Sequence, residues 1–139
     1  MQIHAQLSFS GQCEEAFTWY ARVLHGTVLM MLRYGESPMA DQVPHDWRHK
    51  IVHARLDVNG SQLTGSDAPR AAYQRPCGVS LVVNLADQTE AARVFQGLAE
   101  KGSVQLPMQP TFWSPAYGAV VDQFGIPWEV NCTQAPQDV

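Results

Sequence analysis

Hydrophobic and polar residues alternate along the first half of the chain in runs typical of strands, interrupted by one helical pattern. Residues 3–9 alternate as a half-buried strand does, and Gly11 then opens a run whose apolar side chains recur at helical spacing until Gly26. Three more strands are predicted, at residues 27–34, 51–58 and 61–66. Between the last two, Asn59-Gly60 is a strong signal for a tight hairpin turn. The first half therefore has the order βαβββ.

The second half repeats this order. Its strands are predicted at residues 79–85, 103–108, 119–122 and 126–132. Its helix starts after Asp87, where Glu90 three residues later resembles a capping box, and ends at Gly102. The repeat predicts an α+β fold of tandem βαβββ modules, at about residues 1–67 and 77–133, that form a curved mixed sheet within a single domain of residues 1–139. The tail from Thr133 is expected to be frayed.

Each predicted helix has one apolar face for burial against its sheet. In the first helix this face consists of Cys13, Ala16, Phe17, Tyr20, Val23 and Leu24, and in the second of Ala91, Ala92, Val94, Phe95, Leu98 and Ala99. Strand parity separates side chains in the same way. On the third strand it predicts an apolar set of Val52, Ala54, Leu56 and Val58. The opposite parity leaves a polar face for a ligand, whose candidate contacts are His4, Gln6, His53 and Arg55.

Composition and charge exclude several classes of protein. The net charge of −4, with scattered basic residues, disfavours nucleic-acid binding. No apolar run is long enough for a membrane helix, and the N-terminus lacks the pattern of a signal peptide, so a cytoplasmic protein is expected. The cysteines Cys13, Cys77 and Cys132 form no CxxC pair, which disfavours a zinc knuckle and predicts reduced thiols.

Three features mark candidate chemistry. Glu129 lies in an otherwise apolar strand, where a carboxylate needs a partner, a ligand or solvent. It is a candidate general base with a pKa raised toward neutrality, or alternatively the ion-pair partner of Arg55. Residues 35–50 interrupt the repeat and form either a lid over a ligand or a disordered loop, with Trp47 as a candidate cover. Trp113 and Tyr117 occur in a second loop and its flank, and are candidate ligand contacts or core residues.

The chain resembles the PhnB-like branch of the vicinal oxygen chelate superfamily, the group of glyoxalases, bleomycin-resistance proteins and extradiol dioxygenases. The resemblance rests on motifs spread over nearly the whole sequence: residues 7–16, Trp19-Tyr20, residues 50–56, Gly65-Ser66-Asp67, Thr111-Phe112-Trp113, Tyr117-Gly118 and residues 122–128. It implies the vicinal oxygen chelate, or glyoxalase-like, fold of paired βαβββ modules. It also implies a homodimer.

The resemblance further implies where a divalent metal (Zn, Ni, Mn or Fe) would be bound. Metal-dependent members use four side chains from the first and last strands of each module. Two of these positions are His4 and Glu129, whereas the other two fall near Thr64 and Ser80, which are poor ligands for a transition metal. His53 is an alternative third ligand if its side chain points into the same cavity.

Three functions remain open from the sequence. The first is binding of a small polar or aromatic molecule in a concave pocket, with or without catalysis by Glu129. The second is a metal-dependent dioxygenase or isomerase that uses His4 and Glu129. The third is a resistance protein that sequesters a compound without turnover. Some members of this branch carry the label of ubiquinone-pathway methyltransferases, but no Gly-rich turn for a methyl donor follows a strand, and a methyltransferase is therefore excluded.

Overall fold

The computed structural model describes residues 1–133 and divides the chain into two compact units. Residues 134–139, most of the tail predicted to be frayed, lie outside the described residues. The first unit spans Met1–Gln74 and contains β1 (Ala5–Phe9), α1 (Cys13–Leu24), β2 (Thr27–Arg33), β3 (Ile51–Val58) and β4 (Ser61–Asp67). The second unit begins at Arg75 and contains β5 (Leu81–Leu85), α2 (Gln88–Ala99), β6 (Ser103–Gln109), β7 (Tyr117–Val121) and β8 (Pro127–Cys132).

Each unit is a βαβββ module with its own four-stranded mixed sheet. The strand orders are β1-β4-β3-β2 and β5-β8-β7-β6, so the first and last strands of each module are neighbours. These neighbours run parallel, and the other pairs run antiparallel. The predicted α+β class and the repeated order of elements are confirmed. That the two modules form one domain stays a prediction.

Two strands begin two residues later than the sequence predicts. β1 starts at Ala5 instead of residue 3, because the register with β4 begins where Ala5 lies opposite Leu63. β5 starts at Leu81 instead of residue 79, since Leu81 is the first residue opposite β8. Ile3 and Val79 are consequently exposed. Alternation alone cannot show where the neighbouring strand begins.

The helix ends follow local chemistry. The carboxylate of Asp87 accepts hydrogen bonds from the backbone N–H groups of Thr89 (3.4 Å) and Glu90 (3.2 Å), which confirms the predicted cap of α2. Glu90 also accepts a hydrogen bond from Arg93 Nε at 2.9 Å. At the end of α1, His25 adopts a left-handed conformation before Gly26.

The buried face of each helix is narrower than predicted. Leu24 and Ala99 are half-buried and Ala92 is exposed, whereas the other predicted residues of both faces are buried. Glycine lies beneath a helical aromatic ring in both units. A Cβ on Gly65 would lie 2.7 Å from the ring of Phe17, and one on Gly118 would lie 2.7 Å from the ring of Phe95. The two glycines therefore mark the sheet faces that pack against α1 and α2.

The parity prediction for β3 is wrong at one end. Ile51 is buried and Val52 is only half-buried, the reverse of the prediction. Ala54 and Leu56 are buried as predicted, and Val58 at the other end of the strand is half-buried. The cause is a register shift, because Arg33 pairs with Ile51 but the preceding residue of β2 pairs with His53. One residue of β3 is thereby skipped, and the side-chain alternation changes phase.

Residues 34–50 are ordered, not a disordered loop. They contain three short 3₁₀ turns, at Tyr34–Glu36, Ala40–Gln42 and His45–Trp47. Backbone hydrogen bonds join the two ends of the segment, from Tyr34 N–H to the Lys50 carbonyl at 2.9 Å and from Gly35 N–H to the Arg48 carbonyl at 2.8 Å. These bonds hold the two ends of residues 34–50 together, and the segment is called the strap below.

Two buried aspartates accept hydrogen bonds from several backbone N–H groups. One joins segments that are distant in the chain, and the other closes a tight turn. Asp67 at the end of β4 accepts backbone hydrogen bonds from Gly11 (3.1 Å), Cys13 (2.9 Å) and Ile51 (2.8 Å). Its carboxylate caps α1, because Gln12 at the cap position makes no side-chain hydrogen bond there. Asp122, after β7, accepts backbone hydrogen bonds across the turn to β8.

The three cysteines form no disulfide bond among the described residues. Cys13, Cys77 and Cys132 are all free thiols, and burial raises the pKa of the Cys13 thiol, so it is protonated and unreactive at neutral pH. None of the helices in residues 1–133 has the length and apolar character needed to cross a membrane.

Candidate functional site

A polar face lies on the side of the first sheet turned away from α1. Gly65 faces the helix, so its neighbours Thr64 and Ser66 face away from it. Thr64 lies between Gln6 and Arg55 in register. The Thr64 hydroxyl donates to Gln6 Oε1 at 2.6 Å, and Gln6 Nε2 donates to Ser66 Oγ at 3.2 Å. The first unit therefore has the polar open face that strand parity predicts.

Arg55 and His53 are half-buried residues of β3 in this unit. Arg55 pairs across the sheet with Met30 and Thr64, and within residues 1–74 no carboxylate lies at ion-pair distance from it. Its predicted partner Glu129 belongs to the second unit, and that pairing stays a prediction. Within its own unit, Arg55 is a positive charge available to a ligand.

His4 lies at the opposite end of the sheet from His53. It is exposed just before β1 and, with the hairpin turn at Gly60, lines a surface depression of about 400 Å³. His53 lies one residue beyond the Ala54–Gly65 pair, which places it level with Ser8. Four residues of strand separate Ser8 from His4, or about 13 Å. The two histidines are not brought together, and His53 cannot join His4 as a metal ligand.

Glu129 is the centre of a hydrogen-bonded cluster in the second unit. It is half-buried on β8, and its Oε2 accepts a hydrogen bond from Ser80 Oγ at 2.5 Å. Its Oε1 accepts one from the Tyr117 hydroxyl on β7, also at 2.5 Å. Gly118 and its partner Val130 face α2, so Glu129 and Tyr117 point to the open face.

The predicted direction of the Glu129 pKa is wrong. The hydrogen bond from Ser80, followed by that from Tyr117, stabilises the ionised carboxylate and lowers its pKa below the ordinary value of 4.5, against the opposing effect of burial. The hydrogen bond between Tyr117 and Glu129 also raises the pKa of the Tyr117 phenol to about 12. Glu129 is therefore an anion at neutral pH and a weak base.

Removal of the Glu129 charge is expected to return the phenol of Tyr117 toward its ordinary pKa. In the Glu129→Gln variant the raised value of about 12 should fall toward 10, because the anionic acceptor is lost. Ultraviolet titration of phenolate absorbance, with Tyr117→Phe subtracted to isolate this residue, measures the change. In the folded protein, the stability from this bond is complete below pH 10 and is lost as the pH rises through about 12. An unchanged Tyr117 titration in the variant would contradict the bond.

An aromatic wall stands next to this cluster. The ring of Trp113 is about half exposed and lies 5.2 Å from that of Tyr117 in an edge-to-face arrangement. Phe112 lies 4.7 Å beyond Trp113 and is almost fully exposed. The loop is tied to β8 by the buried hydroxyl of Ser114, 3.0 Å from the carbonyl oxygen of Cys132. This hydrogen bond fixes the position of the loop that carries the aromatic wall.

Sequence reasoning missed three polar members of this face: Ser80 as a partner of Glu129, and the pair Asn84 and Asn131. Asn131 Nδ2 donates to Asn84 Oδ1 at 3.0 Å, and Asn131 Oδ1 is buried without a hydrogen-bond partner among the described residues. The signal was present, since Glu129 and Asn131 have the two-residue spacing of side chains on one strand face.

The Trp47 side chain packs against Lys50 and Gly11 of its own unit. Lys50 Nζ donates to the Gly11 carbonyl at 2.9 Å and lies 5.9 Å from the ring of Trp47, so the indole packs over the turn before α1. Its nitrogen is buried and makes no hydrogen bond of ordinary geometry within residues 1–133. Burial raises the pKa of Tyr34, Asp67 adds to that rise, and the Trp47 N–H opposes it. A role for Trp47 in ligand binding stays a prediction.

A family model described as 3-demethylubiquinone-9 3-methyltransferase, that of the PhnB-like family, matches residues 1–131. The chain belongs to the PhnB-like family. Among its relatives, Protein YjdN from Escherichia coli is 32% identical over 139 residues, covering 94% of this chain and 95% of that protein. The crystal structure of protein PA1353 from Pseudomonas aeruginosa is 44% identical, with a TM-score of 0.86 over 97% of this chain and 99% of that one.

The PhnB-like family shares the vicinal oxygen chelate fold. The fosfomycin resistance protein FosX from Listeria monocytogenes, solved with Mn(II) and 1S,2S-dihydroxypropylphosphonic acid, has a TM-score of 0.67. The alignment covers 97% of this chain and 93% of FosX at 7% identity, which shows the fold alone. The resemblance in the sequence is thereby confirmed at the level of family and fold.

Methyl transfer, the activity in the family model's description, is not supported for this PhnB-like chain. Its two strand-to-helix junctions are Ser10-Gly11-Gln12 before α1 and Ala86-Asp87 before α2, and neither is Gly-rich. Such a turn is what lets a backbone approach a nucleoside-containing donor closely.

The residues at the family's metal positions do not fit a divalent ion. The resemblance to metal-dependent members implies that two of the four positions fall near Thr64 and Ser80, and each of these hydroxyls already donates to a neighbour, Thr64 to Gln6 and Ser80 to Glu129. Neutral hydroxyls are poor ligands for the transition metals named above. Within residues 1–133 no group of three His, Cys, Asp or Glu side chains is arranged to hold a metal. We therefore derive no metal-dependent step.

Proposed function

We propose that this PhnB-like protein binds a small polar or aromatic organic molecule, with Glu129 as its main polar contact and Trp113 as its wall. The observation that carries the proposal is an ionised, half-buried carboxylate whose described partners are two neutral hydroxyls, Ser80 and Tyr117. Trp113 stands beside it with its ring half exposed. Sites for small ligands combine such aromatic surface with a few convergent polar groups.

Binding without turnover is favoured over catalysis by Glu129. A general base works best when its pKa is near the operating pH, and that of Glu129 is lowered below the ordinary carboxylate range. The PhnB-like protein would then sequester its ligand, which is the third of the functions that the sequence left open. His4, Gln6, His53 and Arg55, together with Trp47, stay candidate ligand contacts of the first unit by itself. The homodimer implied by the family resemblance belongs to the same proposal.

Glu129→Gln is expected to weaken ligand binding by about tenfold or more, because a hydrogen bond to a charged group is lost. A library of small aromatic and polar compounds is first screened by thermal shift against the wild-type protein. Dissociation constants of the hits are then measured by calorimetry for wild type, Glu129→Gln and Glu100→Gln. Glu100 is an exposed residue at the end of α2, so its variant should bind like wild type.

Two results would contradict this proposal. The first is a screen in which no compound raises the melting temperature. The second is a hit whose affinity is the same for Glu129→Gln and wild type. Melting of the unliganded variants identifies any loss of binding that is caused only by unfolding.

A further inference from the structure

Glu129 and the two hydroxyls bonded to it present only acceptors to a ligand. The hydroxyl protons of Ser80 and Tyr117 are both directed at the Glu129 carboxylate, which leaves only lone pairs on their oxygens. Further along β8, Asn131 donates one N–H of its amide to Asn84 and keeps a second N–H, and its buried Oδ1 has no described partner. The amide nitrogen of Asn84, at the edge of the face, remains a donor. A ligand of this cluster is therefore required mainly to donate hydrogen bonds.

The charge of Glu129 is not neutralised within its own unit. Residues 75–133 contain the basic side chains Arg75, Arg93 and Lys101. Arg93 is bound to Glu90 on α2, and in this part of the chain no basic side chain lies at ion-pair distance from Glu129. A half-buried anion without a counter-ion carries a desolvation cost that a cationic ligand offsets.

The aromatic wall is suited to the same kind of ligand. Tyr117 connects the two parts directly, since its hydroxyl is bound to Glu129 and its ring packs against Trp113. The phenol of Tyr117 therefore lies between the half-exposed indole of Trp113 and the carboxylate of Glu129. The face of an indole attracts cations and stacks on flat rings, and Trp is the strongest partner for this interaction among the aromatic side chains.

We propose that the ligand of this site is a flat organic cation, with an amidinium or ammonium group at Glu129 and its ring against Trp113. The inference rests on the proposed function and makes it more specific by naming the chemical class. It uses the acceptor oxygens of Glu129, Ser80 and Tyr117, the absence of a cation at ion-pair distance from Glu129 within residues 75–133, and the adjoining indole.

The test compares three probes of the same shape and different charge: benzamidine, benzamide and benzoate. Calorimetry at pH 7 should give wild-type protein a benzamidine affinity about tenfold or more above that of either other probe, since only benzamidine forms a charge-assisted pair with the carboxylate. Glu129→Gln should remove this preference, and Glu100→Gln should keep it. Trp113→Leu should weaken benzamidine and benzamide together, because both lose the indole.

A second measurement does not depend on whether a variant folds. Benzamidine binding to the wild-type protein should weaken as salt is raised, whereas benzamide binding should not, because only the first is an ion pair. Equal or stronger binding of benzamide or benzoate would overturn the inference. A screen whose hits are neutral or anionic compounds, with no binding of benzamidine, would overturn it and leave the proposed function standing. A screen without any hit would contradict both the inference and the proposed function.

Discussion

Replacement of Asp67 by alanine is expected to lower the free energy of unfolding by about 3–5 kcal/mol. The carboxylate is almost completely buried and accepts backbone hydrogen bonds from Gly11, Cys13 and Ile51. Alanine leaves these three N–H groups without this acceptor, and each unsatisfied buried donor costs about 1–3 kcal/mol. The start of α1 and the start of β3 would lose their common anchor to the end of β4.

Urea unfolding of Asp67→Ala, Asp67→Asn and Asp46→Asn measures this effect. Asparagine retains one acceptor oxygen and places an amide donor where the other stood, so its cost should be substantial but smaller than that of alanine. Asp46 is exposed in the strap, and its variant should lie within about 0.5 kcal/mol of wild type. An Asp67→Ala protein as stable as Asp46→Asn would show that the three hydrogen bonds do not hold the first unit together.

Replacement of Asp122 by alanine should destabilise the second unit by about 3 kcal/mol. Its Oδ1 accepts from the backbone N–H groups of Phe124 and Ile126, both at 2.9 Å, and closes the turn between β7 and β8. Its Oδ2 accepts from the indole N–H of Trp128 at 2.8 Å, and that ring is buried. The loss would free a buried indole donor in addition to two backbone donors.

Trp128→Phe is the matched variant for the indole part of this effect. It removes the indole donor and leaves the two backbone bonds, so it separates the cost of the turn from that of the indole contact. Urea unfolding compares both variants with wild type. If Asp122→Ala lies within about 0.5 kcal/mol of wild type, then the hydrogen bonds of Asp122 do not hold the second unit together, contrary to the expectation.

Elements that depend on nearby residues could be predicted from the sequence. The hairpin turn forms at Asn59-Gly60 because both residues adopt positive φ, 50° and 89°, which these residue types tolerate. The cap at Asp87 forms because a short carboxylate can reach the backbone N–H groups two and three residues ahead. The βαβββ order followed from alternation and helical spacing, which are properties of single segments.

The candidate site could be predicted only in part. Parity correctly assigned Gln6 and Arg55 to a face opposite the helix, because that assignment needs only the alternation of side chains. It did not show that Ser80 would meet Glu129, since 49 residues separate them in the chain. The hydrogen bond from Ser80 is the main cause of the lowered pKa of Glu129. The expectation of a raised pKa came from the apolar residues next to Glu129 in the sequence.

The class of fold, the repeat, the family and the residue types that could carry chemistry all follow from the order of the amino acids, because each depends on local spacing or on motifs. Tertiary structure alone decided which polar groups share a hydrogen-bonded cluster. Asp67 became an anchor because it lies beside backbone donors 54 and 56 residues earlier in the chain. Glu129 became a stable anion because two hydroxyls from other segments donate to it. Charge state and satisfaction of a buried group depend on its neighbours in space, and folding brings those neighbours together.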